Sequence, residues 1–159
     1  MANYALPNSV AGSTQQAVSS TLKTLVCVSA STNNGQVCRG KVYDLLIGTN
    51  GTPADNYMTW DISRLTAAST AETALTPRKL DPADAVALAV AGCNQTSEPT
   101  YTADSSVFYI GVNQRASYRW VAAPGSELVY PATAANGLGL RVLSGGYTGT
   151  CAIEMMLAE

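Results

Sequence analysis

Short runs in which apolar and polar residues alternate dominate the chain, and turn-forming residues separate them. The clearest run places Cys151, Ile153, Met155 and Leu157 on one face and Ala152, Glu154 and Met156 on the other. That is the period of two that a half-buried strand requires. Met58, Trp60 and Ile62 alternate in the same way with Thr59, Asp61 and Ser63, as do Tyr118, Trp120 and Ala122 with Arg119 and Val121. Gly40 to Ile47 is apolar nearly throughout, the pattern of a strand covered on both faces. Leu22 to Ser29, Ser106 to Val112, Glu127 to Ala132 and Leu138 to Leu143 complete the set. Between them, segments 48–53, 124–125, 134–137 and 144–146 are dense in Gly, Pro, Asn and Ser, the residues that break strands into turns.

About eight strands with turns at this spacing predict an all-β fold, an antiparallel β-sandwich or jelly roll. At most one short helix is expected. Asp81 would cap it, Pro82 would take its first position, Asp84 would sit where the helix dipole favours an acid, and Gly92 would end it. Residues 1–20 are small and polar and predict an extended N-terminal arm, with a frayed end as the alternative. Residues 21–159 then form a single β-sandwich domain, since no linker divides them and no long period recurs.

Composition sharpens this picture. Hydrophobic residues make up 47% and charged residues 13% of the 159 residues, against roughly 25% charged in an average soluble domain. So little charge predicts a surface completed by other protein molecules. The net charge is −2, and Lys and Arg are scattered singly apart from Arg78 and Lys79. No direct nucleic-acid binding is expected, because a phosphate backbone needs a basic stripe. The longest apolar stretch, Ala83 to Gly92, contains Asp84 and is too short to span a bilayer. The first residues show neither a basic nor an apolar leader region, so synthesis in a cytoplasm, without membrane association, is expected.

Candidate chemistry is sparse. There is no histidine, so a Ser or Cys nucleophile would have to rely on Lys23, Lys41 or Lys79. The close acidic pairs, Asp55/Asp61 and Asp81/Asp84, match no required catalytic spacing. Asp55 and Asn56 lack the remainder of a calcium loop. The expectation is therefore a protein that is not an enzyme, with no catalytic residues, cofactor or metal.

Cys27, Cys38, Cys93 and Cys151 form no Cys-x-x-Cys pair. They are either small buried hydrophobes or partners in one or two disulfides formed outside a reducing cell. Cys27 and Cys38 flank a turn at 31–35. Centred between Thr32 and Asn33, a hairpin sets the two sulfurs opposite each other; centred on Asn34 and Gly35, it sets Cys27 opposite Val42. Both registers stay open.

Trp60 and Trp120 fit core packing, a sugar-stacking platform or an interface hot spot. Arg115 and Arg119 lie near Trp120 in sequence and fit either a cation–π or interface cluster, or a solvated strand face. Tyr outnumbers Phe eight to one, which suits half-wet interfaces more than a deep core.

Two stretches carry a family resemblance. One is Arg39 to Arg64, RGKVYDLLIGTNGTPADNYMTWDISR. The other is Asn113 to Thr133, NQRASYRWVAAPGSELVYPAT, followed by Asn136 to Arg141, NGLGLR. Together they resemble small virion proteins of tailed bacteriophages, of the capsid decoration (cement) type. The resemblance implies a jelly-roll sandwich, a homotrimer, and a seat on the capsid surface where it binds the major capsid protein and braces the lattice. The four cysteines are not part of that pattern. Under this reading Tyr4, Leu6, Trp60, Arg64, Arg115, Arg119 and Trp120 are the expected interface residues. The alternative is a tail or fibre module that binds host surface glycans through Trp60 or Trp120.

Overall fold

The computed structural model describes residues 1–9, 17–18, 21–31 and 36–159. Thirteen strands among them form two antiparallel sheets. The first sheet runs β10 (Tyr118–Val121), β4 (Gly40–Asn50), β13 (Gly149–Ala158), β1 (Asn3–Pro7) and β7 (Arg78–Lys79); β11 (Leu128–Tyr130) also pairs with β4, and β2 (Ala17–Val18) with β13. The second runs β6 (Thr73–Leu75), β8 (Val90–Cys93), β3 (Lys23–Ser29), β12 (Gly137–Leu143), β5 (Tyr57–Ala67) and β9 (Thr100–Asn113).

Eight of these strands make the jelly-roll wrap. Their spatial orders are β1-β13-β4-β10 in one sheet and β3-β12-β5-β9 in the other. Following the chain through these eight, every step crosses to the opposite sheet except β5 to β9, which are neighbours. Seven of the eight expected strands belong to this wrap; the eighth, Glu127 to Ala132, is β11, a short addition at its margin like β2, β6, β7 and β8, and β1, from the expected arm, completes the wrap.

Alternation fills the space between the sheets. Val42, Leu45, Ile47, Ile153, Met155 and Leu157 from the first sheet are buried with Val26, Val28, Met58, Trp60, Ile62, Leu138, Leu140 and Val142 from the second. The near-continuous apolar run in β4 has a different cause from the one its pattern suggests. The β4–β13 register shifts between Met156 and Leu157, opposite Asp44 and Val42. An extra residue in a strand reverses its inward and outward phase, so Val42 and Leu45 both point inward although three positions apart. The other face of β4 is open, and Leu46 on it is exposed.

Three expectations are corrected. First, the described residues contain no helix, and 81–91 is a turn followed by extended chain. Asp81 does cap: its Oδ1 accepts the Ala83 N–H at 2.9 Å and its carbonyl the Asp84 N–H at 3.0 Å. Beyond that, tertiary partners take the groups a helix would have paired. Lys79 Nζ donates to the Pro82 and Asp84 carbonyls, and the Leu88 and Ala89 N–H groups both donate to the Glu159 carboxylate at 2.8 Å.

Second, the first residues of the expected arm are part of the sandwich. Asn3 to Pro7 pairs with β13 on one side (Tyr4↔Leu157, Leu6↔Met155) and with β7 on the other. Asn8 extends the tie: its Nδ2 donates to the Cys151 carbonyl at 2.8 Å and its Oδ1 accepts the Ile153 N–H at 3.1 Å. The rest of the predicted arm lies outside the described residues, apart from Ser9 and β2.

Third, β3 and β4 do not form a hairpin. They belong to opposite sheets, and Cys27 faces Gly92 and Gly139 across its neighbouring strands. The turn at 32–35 lies outside the described residues.

Candidate functional site

The chain's most concentrated polar chemistry lies on the outer face of the second sheet. One register row there reads Gly92, Cys27, Gly139, Ser63 and Ser106, from β8 through β3, β12 and β5 to β9. Because these side chains are small, overlying groups lie flat on the sheet. The Glu72 carboxylate occupies the space a Cβ at Gly92 would need, and the Tyr101 ring occupies that of Gly139.

Beneath this cover Asp61 and Glu98 meet cations, and Glu72 is held by neutral donors. Arg141 Nε donates to Asp61 Oδ2 at 2.8 Å, and its terminal nitrogen donates to Asp61 Oδ2 at 2.5 Å and Ser63 Oγ at 2.7 Å. Ser63 and Ser106 hydroxyls also donate to Asp61. The Arg141 guanidinium stacks on the Tyr101 ring, 4.2 Å from its centroid. Glu98 accepts the Thr24 N–H at 3.0 Å, receives the Thr24 hydroxyl and lies 3.3 Å from Lys23 Nζ. Glu72 accepts from the Cys27 thiol at 3.3 Å and from Gln95 Nε2 at 3.1 Å.

A carboxylate as buried as Asp61 is tolerated only with a counter-charge and filled hydrogen-bond positions, and this geometry supplies both. Burial pushes the Cys27 thiol up, and the neighbouring Glu72 carboxylate pushes it further. Burial likewise raises Tyr101. Both therefore stay protonated at neutral pH, which suits donors in a rigid layer and not nucleophiles.

The structure divides the residues proposed from sequence. Tyr4, Leu6 and Trp60 are core residues, a correction to their expected place at an interface. Tyr4 turns only its hydroxyl outward, to the Ala85 carbonyl at 3.1 Å. A sugar platform on Trp60 is excluded by the same burial.

Arg64, Arg115 and Arg119 are exposed and Trp120 is half-buried. Arg64 donates to the Val129 carbonyl at 2.8 Å, joining β5 to β11 across the rim of the sandwich. Arg115 lies 3.3 Å from Asp55, and Arg119 grips Asp44 with two nitrogens at 2.5–3.1 Å. Trp120 meets Phe108 edge-on, with centroids 5.7 Å apart.

The four cysteines are free thiols. Cys27, Cys93 and Cys151 are buried, and burial pushes Cys151 up to about 12. Among the described residues no cluster of three or more His, Cys, Asp or Glu could hold a metal, and no helix is long and apolar enough to cross a membrane. The Asp61–Arg141 pair escaped sequence reasoning because 80 positions separate its members and only the sheet register brings them together.

The two sides of the sandwich differ. On one side the sheets end in β6 and β7, of three and two residues, with Arg78 and Lys79 on the rim. An open groove of about 650 Å³ runs there between Leu75, Pro77, Pro82 and Val86. On the other side they end in β9, of fourteen residues, and β10. There Phe108, Ile110, Val112, Tyr118 and Trp120 pack on the core but are only partly covered.

Fold and surface together define a jelly-roll β-sandwich whose two sides end differently, one in short strands and one in a long, open strand. No family model matches the chain, and no curated protein matches it.

Proposed function

We propose that this protein is a structural virion component, a capsid decoration protein that binds a lattice of major capsid protein and stabilises the phage head. The observation that carries this reading is the eight-strand jelly-roll wrap, an architecture used by viral capsid and lectin domains. Its agreement with the fold implied by the two resembling stretches gives the reading its support. The buried Asp61–Arg141 pair and the hydrogen bonds that hold Glu98 and Glu72 on the second sheet add to it, since a protein that braces a shell depends on a stiff body. A lattice also multiplies weak contacts through simultaneous engagement of neighbouring copies. Self-association, as the trimer implied by the resemblance, belongs to the same reading.

The test is reconstitution. Recombinant protein is mixed with heads that lack it, and bound copies are counted and located by electron microscopy. Saturable occupancy spread over the head surface is the expected result. Absence of binding, or a few copies confined to the tail, would overturn it. The tail location together with glycan binding lost on Trp120→Ala would instead establish the host-recognition alternative.

A further inference from the structure

We infer that copies of this chain meet through the β9–β10 side of the sandwich, with that side turned toward a shared symmetry axis. The inference adds a surface to the function proposed above, and it needs self-association but no capsid.

Sheet edges invite pairing, and proteins that stay monomeric shorten, charge or cover them. The β6–β7 side follows that rule, with very short strands and the Arg78–Lys79 pair. The β9 side breaks it. Its fourteen residues pair with β5 along one edge, and the other edge pairs with no described strand. From Ser105 to Asn113 it carries no charge and no proline.

The same side exposes apolar surface. Tyr109, on the outer face of the second sheet, is 72% exposed and Val121, on the outer face of the first, is 58% exposed; between them lie the half-covered Phe108, Ile110, Val112, Tyr118 and Trp120. The cations at its margin are already matched within the chain, Arg115 by Asp55 and Arg119 by Asp44. From Ser105 to Asn113 the strip is therefore close to neutral, with exposed Asp104 just before it.

A second copy is the occupant these observations favour. A neutral strip meets its own duplicate without like-charge repulsion, whereas a charged partner would have to bury its charges there unpaired. Size sets the strength of the contact. The uncharged run Ser105 to Asn113, at about 3.4 Å per residue, makes a strip about 31 Å long. At about 15 Å wide, somewhat more than the sheet spacing, it offers about 460 Å² to each neighbour, below the ~800 Å² per partner of a standard interface, and a copy in a closed ring makes two such contacts.

The experiment is light scattering coupled to size-exclusion chromatography on the full chain, without capsid. The wild-type protein is expected at a multiple of 16.5 kDa. Tyr109→Lys/Val121→Lys is expected at the mass of one chain with an unchanged circular dichroism spectrum. Val86→Lys, 65% exposed on the opposite side, is expected to keep the wild-type mass. Should the double variant not fold, Tyr109→Lys alone carries the test. A monomeric wild type at high micromolar concentration overturns the inference, as does a double variant of unchanged mass or a Val86→Lys variant that dissociates. Capsid binding is scored separately, so loss of one result leaves the other standing.

Discussion

Replacing Asp61 by Ala removes the anion at the centre of the layer on the second sheet. Its side chain is 8% exposed, and that of its partner Arg141 is 20% exposed. The substitution leaves a largely buried guanidinium on the Ser63 hydroxyl and the Tyr101 ring, without the carboxylate that pairs it. Breaking one half of such a pair costs about 3–5 kcal/mol, mostly as the penalty of the charge left behind. For a domain of this size that corresponds to a fall in melting temperature of roughly 6–20 °C.

Two further variants separate this cause from simple loss of hydrogen bonds. In Asp44→Ala the removed carboxylate is equally buried, at 9%, but its partner Arg119 is 64% exposed and returns to water; the loss should be clearly smaller. In Asp61→Leu/Arg141→Met no charge is left unpaired, and stability should recover most of the way to wild type. Urea unfolding followed by tryptophan fluorescence reports all three. Equal losses for Asp61→Ala and Asp44→Ala, or a double variant no better than Asp61→Ala, would refute the argument that the stranded charge dominates.

Leu6→Ala should destabilise by about 2–5 kcal/mol, because Leu6 is fully buried in a strand paired on both sides; a melting temperature unchanged from wild type would show that β1 is dispensable. Removing residues 2–8 should abolish soluble, cooperatively folded protein, and a truncated chain with wild-type melting would contradict that. Ellman's reagent should label one thiol rapidly, Cys38, and all four only after unfolding, since the other three are buried; rapid native labelling of Cys27, Cys93 or Cys151 would count against the packing described. Stability should be flat near neutrality and fall through about pH 9–11. Burial raises Cys27, Cys93, Cys151, Tyr101 and Tyr130 in the folded state, so above about pH 8.5 the unfolded chain holds fewer protons and stability declines with pH. A urea midpoint unchanged between pH 7 and 10.5 would refute this.

Alternation at spacing two was enough to locate the long strands, because an extended chain sends successive side chains to opposite faces whatever lies beside it. The runs around Trp60, Trp120 and Ile153 are strands of the structure for that reason, and their number and turn spacing imply a sandwich. Local pattern failed where a partner distant in sequence decided the outcome. Tyr4 and Leu6 are a two-residue alternation, too brief to read, and became core only because β13 offers a free edge beside them. The 81–91 segment carries helix signals, yet Glu159 and Lys79 hold its backbone groups instead.

The functional surfaces divide along the same line. That the chain is poor in charge and lacks histidine is a property of its composition alone, and so is the inference that its exterior meets other proteins. Which exterior does so depends on how the sheets end. The contrast between a clipped, cationic side and a long, neutral one exists only once strands remote in sequence have been ordered by pairing. Hydrogen bonding between strands, which no single segment encodes, made that choice.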